Sequence, residues 1–135
     1  MKELTIGLMI EEAQKFCIDE SKYKNAELFG VTDGKAVGTY VEQKFKKILQ
    51  DKYLVEIGSS ANGIDLSSED INTDIKVTSI KQPQSSCPFK SANQKIFGLG
   101  YNLLIFVYDK VDNYKTKISV LNFSSCSFIS KEQLE

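Results

Sequence analysis

The chain contains no histidine. Ser-His-Asp and Cys-His catalysis, nucleases that pair histidine with a metal, and histidine-ligated zinc are all excluded at once. Cysteine is scarce as well. Cys17, Cys87 and Cys126 are far apart, odd in number and form no CxxC. That argues against a disulfide framework and a thiolate zinc site, and for a reducing compartment such as the cytoplasm. No signal peptide stands at the start, and no apolar run is long enough to cross a bilayer; the longest, residues 103–108, is strand-sized. An excess of one charge is missing too. The net charge is −1, so an anionic partner must be recognised through local patches.

What is present fits one domain: 135 residues, 41% of them hydrophobic, enough for a core. There is no repeat, no low-complexity tract and no internal boundary. Leu134 and Glu135 look like a cloning scar ahead of a tag, so the native part is expected to end near Gln133 and to be a piece of a longer protein.

Apolar residues at Ile6, Met9, Ile10, Ala13, Phe16 and Cys17 predict a helix over residues 6–20, with Glu11, Glu12, Lys15 and Glu20 on its outer side. Residues 21–31 are polar and mixed, with a turn of helix expected around 25–29. Thr32 or Asp33 is placed to cap a second helix over about residues 35–50, whose buried stripe is Val37, Val41, Phe45, Ile48 and Leu49. Residues 53–57 read as a short strand or as the last turn of that helix. Residues 91–97 predict a third helix, residues 101–108 a strand covered on both faces, 109–113 a turn, and 116–123 a more exposed strand. Phe128 and Ile129 are expected to cap the core. The order gives an α/β fold, a mixed central sheet flanked by helices.

The centre of the chain carries the chemistry. Asp65 follows Gly63 and Ile64, and nine residues later come Asp74, Ile75 and Lys76. Between the aspartates, residues 67–70 have no apolar side chain and read as a turn. A hairpin there brings Asp65 beside Asp74, a hard-oxygen site of the kind Mg²⁺ prefers. On a strand, Asp74 and Lys76 project together while Ile75 and Val77 enter the core. From Ile75 to Tyr108 there is no acid at all, whereas Lys76, Lys81, Lys90 and Lys95 are present. The segment 82–89 has two prolines and is rich in amides and hydroxyls, groups that reach phosphates and base edges.

This pattern resembles the PD-(D/E)XK nuclease superfamily, which includes most type II restriction endonucleases. Asp65 stands at the first motif, with Ile64 in place of its proline, and Asp74, Ile75 and Lys76 match the second. The resemblance covers about residues 35–123. It implies a restriction endonuclease-like core and Mg²⁺-dependent (or Mn²⁺-dependent) hydrolysis of double-stranded DNA. Asp65, Asp74 and the Ile75 carbonyl would hold the metal, and Lys76 would act on the attacking water. Glu42 falls where many members carry a helical acid facing the metal; it reads equally as a solvated glutamate paired with Lys46 at i,i+4. Lys81, Gln82, Ser85, Ser86, Lys90, Gln94 and Lys95 are the candidate DNA contacts. Members that cut both strands are commonly dimers, so a homodimer is compatible. Within the resemblance, a type II restriction endonuclease comes first. A structure-specific nuclease (junction resolvase or repair nuclease) and a degenerate DNA-binding module of the same fold are the alternatives. A globular α/β domain with a chance acid-X-Lys is the bland one.

Overall fold

The computed structural model describes residues 1–58, 64–81 and 100–134. Its elements run β1 (Lys2–Glu3), α1 (Ile6–Glu20), α2 (Gly34–Lys52), β2 (Tyr53–Leu54), β3 (Thr73–Ser79), β4 (Asn102–Asn113) and β5 (Ile118–Ile129), then a short 3₁₀ turn, Lys131–Leu134. The main sheet has the order β3-β4-β5. The β3–β4 pair is parallel and the β4–β5 pair antiparallel. This is the mixed α/β arrangement expected.

Both described helices begin at side-chain caps. The Thr5 hydroxyl accepts the Leu8 amide and the Asp33 carboxylate accepts the Lys35 amide, each satisfying a donor the helix itself leaves free. α2 buries Val37, Val41, Phe45 and Leu49 completely or nearly so, and each such side chain gains roughly 1.5–3 kcal/mol from leaving water. Ile48 is only half-buried. These residues join Met9, Ala13 and Phe16 of α1 over the sheet face that carries Ile75, Leu104, Phe106 and Tyr108. Phe16, Phe45, Phe106 and Phe123 meet edge to face at 5.3 to 5.9 Å, the geometry aromatic quadrupoles favour. The opposite face of β4 buries Leu103 and Ile105 with Tyr101, Val107 and Ile129 around them, so the strand is covered on both sides as its unbroken apolar run predicts.

Several expectations need correcting. The segment 109–113 is the continuation of β4, and the reversal comes four residues later, at 114–117. The acid-and-amide composition suits a turn, but it also suits the outer half of a ribbon. Lys110 and Asp112 pair at 2.7 Å, and Asp109 through Asn113 stay in register with β5. Residues 25–29 form turns, not a helical turn; Asn25 instead bridges to Ser119 across the chain. Glu20 does not face water: it is 4% exposed, because Tyr40 and Lys44 of α2 reach over to it at 2.9 and 2.7 Å. Residues 53–54 are a strand, paired in parallel with β1, an element the sequence did not announce. Phe128 and Ile129 belong to β5 and pack against the two clusters from within the sheet. Cys17 and Cys126 are free thiols. The helix predicted over 91–97 and the loop 82–90 lie outside the described residues.

Candidate active site

The approach of the two aspartates is built by backbone first. The chain turns at 68–72, where the Ser68 carbonyl accepts the amides of Ile71 and Asn72. Asn72 takes a left-handed conformation, φ 41°, which asparagine tolerates better than most residues. Its side-chain amide donates to the Gly100 carbonyl, and the Asn102 side chain donates to the Ile71 carbonyl, so the turn is pinned to the start of β4. Leu66 then pairs with Thr73 through both backbone bonds, at 2.9 and 3.0 Å. On its other side the same segment is held by Ile57 and by the Gly58 amide, which donates to the Asp65 carbonyl at 2.9 Å. The first arm of the expected hairpin is thus one bridge residue between two neighbours, not a strand of its own.

This frame locks the carboxylates together. The Asp65 amide donates to Asp74 Oδ1 at 3.2 Å, and the Ile75 amide donates to Asp65 Oδ2 at 2.9 Å. Each aspartate therefore spends one oxygen on the other's strand. The remaining oxygens meet lysines: Lys46 Nζ lies 2.6 Å from Asp65 Oδ1, and Lys76 Nζ lies 3.2 Å from Asp74 Oδ2. Lys46 also holds Glu42 Oε1 at 2.8 Å. α2 supplies Glu42 and Lys46 because it runs along β3; an added Cβ on Gly38 would stand 3.8 Å from that of Val77. Ile75 points into the core and Val77 is half-buried against it, leaving Asp74 and Lys76 on the other side, as the strand alternation requires. Asp74 is 5% exposed, however, so it is a buried carboxylate and not a surface one.

The electrostatics follow from this crowding. Burial, then the neighbouring Asp65, pushes Asp74 up to about 6. Burial, then Asp65 again, pushes Glu42 up to about 7, with Lys46 pulling the other way. Burial opposes ionisation of Asp65 too, but hydrogen bonds from Glu42, Asp74, Lys46 and the Ile75 amide overcome it and hold its carboxyl well below the usual carboxylate range. Lys46 is held above the usual range: burial works against its charge, and its bonds to Asp65 and Glu42 more than offset that. Three acids and two ammonium groups share one place, and the acids lie close enough to compete for protons.

A cavity of about 510 Å³ opens over the cluster, lined by Glu42, Lys46, Asp65, Asp74 and Lys76 with Gly58 and Ile64 at its edge. A second hollow of about 330 Å³ continues along the seam of α2 and β3 and shares Glu42, Ile75 and Lys76 with the first. The structure thus brings together Asp65, Asp74, Ile75, Lys76 and Glu42. Lys81 is not among them. It lines a separate hollow at the start of α2 and pairs with Asp109 at 3.0 Å. Gln82, Ser85, Ser86, Lys90, Gln94 and Lys95 lie outside the described residues. Lys46 is the residue the sequence reading missed as part of the site. Its spacing from Glu42 was visible, but nothing local distinguishes a buried bridge to Asp65 from a surface pair.

The donor set suits a hard divalent cation: carboxylate oxygens and the Ile75 carbonyl, with burial and the neighbouring Asp65 raising two of the acids. Among the described residues, no three acidic or cysteine side chains converge to ligate one ion. Mg²⁺ does not need three, since it keeps several waters and takes one or two carboxylates.

A mixed three-stranded sheet with two helices against it, carrying an acid and a lysine on β3 beside α2 and a second acid on the segment bridged to it, is a restriction endonuclease-like core. The chain belongs to the type II restriction enzyme NspV family, whose model matches residues 3–135. The type II restriction enzyme NspV of Nostoc sp. (strain ATCC 29411 / PCC 7524) is 54% identical over 133 residues, 98% of this chain and 60% of that protein. The chain therefore spans about three fifths of the length of this relative. No solved structure matches it.

Proposed function

We propose that this chain carries the catalytic core of a metal-dependent, cytoplasmic endodeoxyribonuclease that hydrolyses phosphodiester bonds in double-stranded DNA as a type II restriction enzyme. The observation that carries the reading is the interlock of Asp65 and Asp74 through each other's backbone, with Lys76 beside Asp74 at the mouth of the cavity. Family membership favours restriction over branched-substrate cleavage.

Asp65, Asp74 and the Ile75 carbonyl would hold Mg²⁺, or Mn²⁺ in its place. When bound, the ion lowers the pKa of an attached water and offsets charge on the scissile phosphate. The protein's own part is positional. Two backbone bonds fix the aspartates without help from long side chains, so little reorganisation is left for the reaction. Lys76, one third exposed, reaches the cavity where an attacking water would sit and would orient it or help remove its proton. The seam along α2 and β3 gives a strand a path to that point. Lys81, in the separate hollow at the start of α2, is available for a phosphate contact at the cost of a surface ion pair.

The test is incubation with supercoiled plasmid, with and without Mg²⁺ or Mn²⁺, beside Lys76→Ala. Metal-dependent cutting into discrete fragments that the variant lacks supports the assignment. Equal cutting by the variant, or cutting that ignores the metal, removes it. Size measurement with and without a cognate duplex checks whether a homodimer forms.

A further inference from the structure

We propose that Lys46 is the resident counter-cation of the carboxylate cluster, a positioning residue whose ammonium holds Glu42 together with the one oxygen that Asp65 has left to offer a metal, and must withdraw from Asp65 when a divalent ion binds. The inference rests on the metal reading of the site and deepens it.

Consider which oxygens remain for a metal. Asp65 Oδ2 is taken by the Ile75 amide and Asp74 Oδ1 by the Asp65 amide. These bonds belong to the frame that holds 64–66 against β3, so they persist while the fold does. Asp65 Oδ1 is then the oxygen Asp65 can offer, and Lys46 sits on it at 2.6 Å. Glu42 Oε1 is held by the same nitrogen at 2.8 Å. One ammonium thus stands between two carboxylates and covers the oxygen by which Asp65 would help to hold a metal. The Lys46 side chain is only 9% exposed, and it lies one helical turn beyond Glu42 on α2. Its stem is therefore packed while its head is bound to acid, the opposite of a surface lysine that wanders.

Charge decides the rest. Glu42, Asp65 and Asp74 stand against Lys46 and Lys76, so the cluster holds together without an ion. A divalent cation arriving at Asp65 Oδ1 meets an ammonium within contact distance. Two like charges there repel, and neither keeps both oxygens. Lysine can yield because four rotatable bonds let its nitrogen swing away without moving the helix. Lys46 thereby supports the metal-free fold and opposes metal binding. This also accounts for the lack of a ready-made three-acid ligand set among the described residues: the acids are spread around an ammonium.

The experiment is Mn²⁺ titration by calorimetry, with thermal unfolding in EDTA and in Mn²⁺, on the 135-residue chain and on Lys46→Met, Lys46→Arg and Asp74→Asn. Lys46→Met should melt lower in EDTA, bind Mn²⁺ more tightly by about tenfold, the scale of relieving one adjacent like charge, and regain much of its lost melting temperature with Mn²⁺. Lys46→Arg, whose planar fork keeps both carboxylates, should hold its melting temperature in EDTA and bind Mn²⁺ more weakly. Unchanged Mn²⁺ affinity in Lys46→Met, with the same melting deficit in EDTA and Mn²⁺, would reduce Lys46 to packing. Weaker binding in Lys46→Met, or unaltered binding in Lys46→Arg, also overturns the displacement. If the wild type binds no Mn²⁺, or if Asp74→Asn binds it equally well, the metal reading itself fails and the inference falls with it.

Discussion

Asp74→Asn should make the metal-free protein more stable while it abolishes cleavage. Folding places Asp74 at 5% exposure beside Asp65, and burial followed by that neighbour moves its carboxyl from 3.8 to about 6. A carboxyl raised in the folded state binds its proton more tightly there than in the unfolded chain. Stability is therefore lost as pH rises from about 4 to about 6 and stays at the lower level above that. A rise of about two pH units corresponds to ~3 kcal/mol at about 1.36 kcal/mol per unit. Coupling to Asp65 and water at the cavity mouth reduce this to ~1–2 kcal/mol. Asparagine fills the same volume, and its carbonyl can accept the Asp65 amide as Oδ1 does now. What it forfeits is the attraction to Lys76 at 3.2 Å, a contact on a lysine that is one third exposed. For a domain of this size ~1 kcal/mol moves the melting point by roughly 3–5 °C, so the variant should melt about 3–10 °C above wild type near pH 8 in EDTA. The gap should close near pH 4, where wild-type Asp74 is protonated. Circular dichroism melts at both pH values suffice. A variant that melts lower near pH 8, or a gap that persists unchanged near pH 4, refutes the claim that ionised Asp74 is a burden in the metal-free fold.

The same sign applies to Glu42→Gln over a higher window: Glu42 moves from 4.5 to about 7, so the variant's advantage should develop between about pH 5 and 7, and melts along that range would show it. Phe45→Ala removes a fully buried ring at the centre of the aromatic cluster and should cost ~3–5 kcal/mol in urea unfolding; a loss under about 1 kcal/mol would mean the cavity collapses freely. Glu20→Ala removes the acceptor that the Tyr40 hydroxyl and Lys44 share, leaving them their bond to each other, and should cost ~1–2 kcal/mol while leaving cleavage per folded molecule unchanged, because Glu20, Tyr40 and Lys44 do not line the cavity. Gly58→Ala drives a methyl into the Ile64 carbonyl, so the backbone next to the bond that holds Asp65 must shift; cleavage should fall by about tenfold or more, and the melting temperature should fall with it.

How much of this was readable beforehand depends on the range of the interaction that decides each feature. α2 was legible because both of its signals are local: Asp33 as cap and a stripe repeating at helical spacing. The first half of β4 was legible because an unbroken apolar run admits few other fates. Its second half was not, since Asp109 to Asn113 has turn composition and only pairing with β5, a distant segment, keeps it extended. β1 is two residues long, too short for any pattern to form, whereas β2 falls in the 53–57 segment that read as a strand or a helix end. Glu20 looked like a member of the solvated face of α1 because the groups that enclose it, Tyr40 and Lys44, come from another helix.

The site divides along the same line. Asp65, Asp74 and Lys76 were found because a polar turn and strand alternation suffice to bring them together. Lys46 lies beyond such reasoning, for its role is set by the fit of α2 against β3 and not by its neighbours in sequence. Yet it is the residue that pairs with two of the three acids at once. The backbone satisfies one oxygen of each aspartate, lysines satisfy the others, and burial together with the nearness of Asp65 leaves two carboxyls raised. A site neutralised more fully would be more stable and would have less reason to take up a divalent ion. The imbalance among Glu42, Asp65 and Asp74 is therefore an expected cost of the proposed chemistry, and variants that relieve it should gain stability in proportion to what they lose in metal binding.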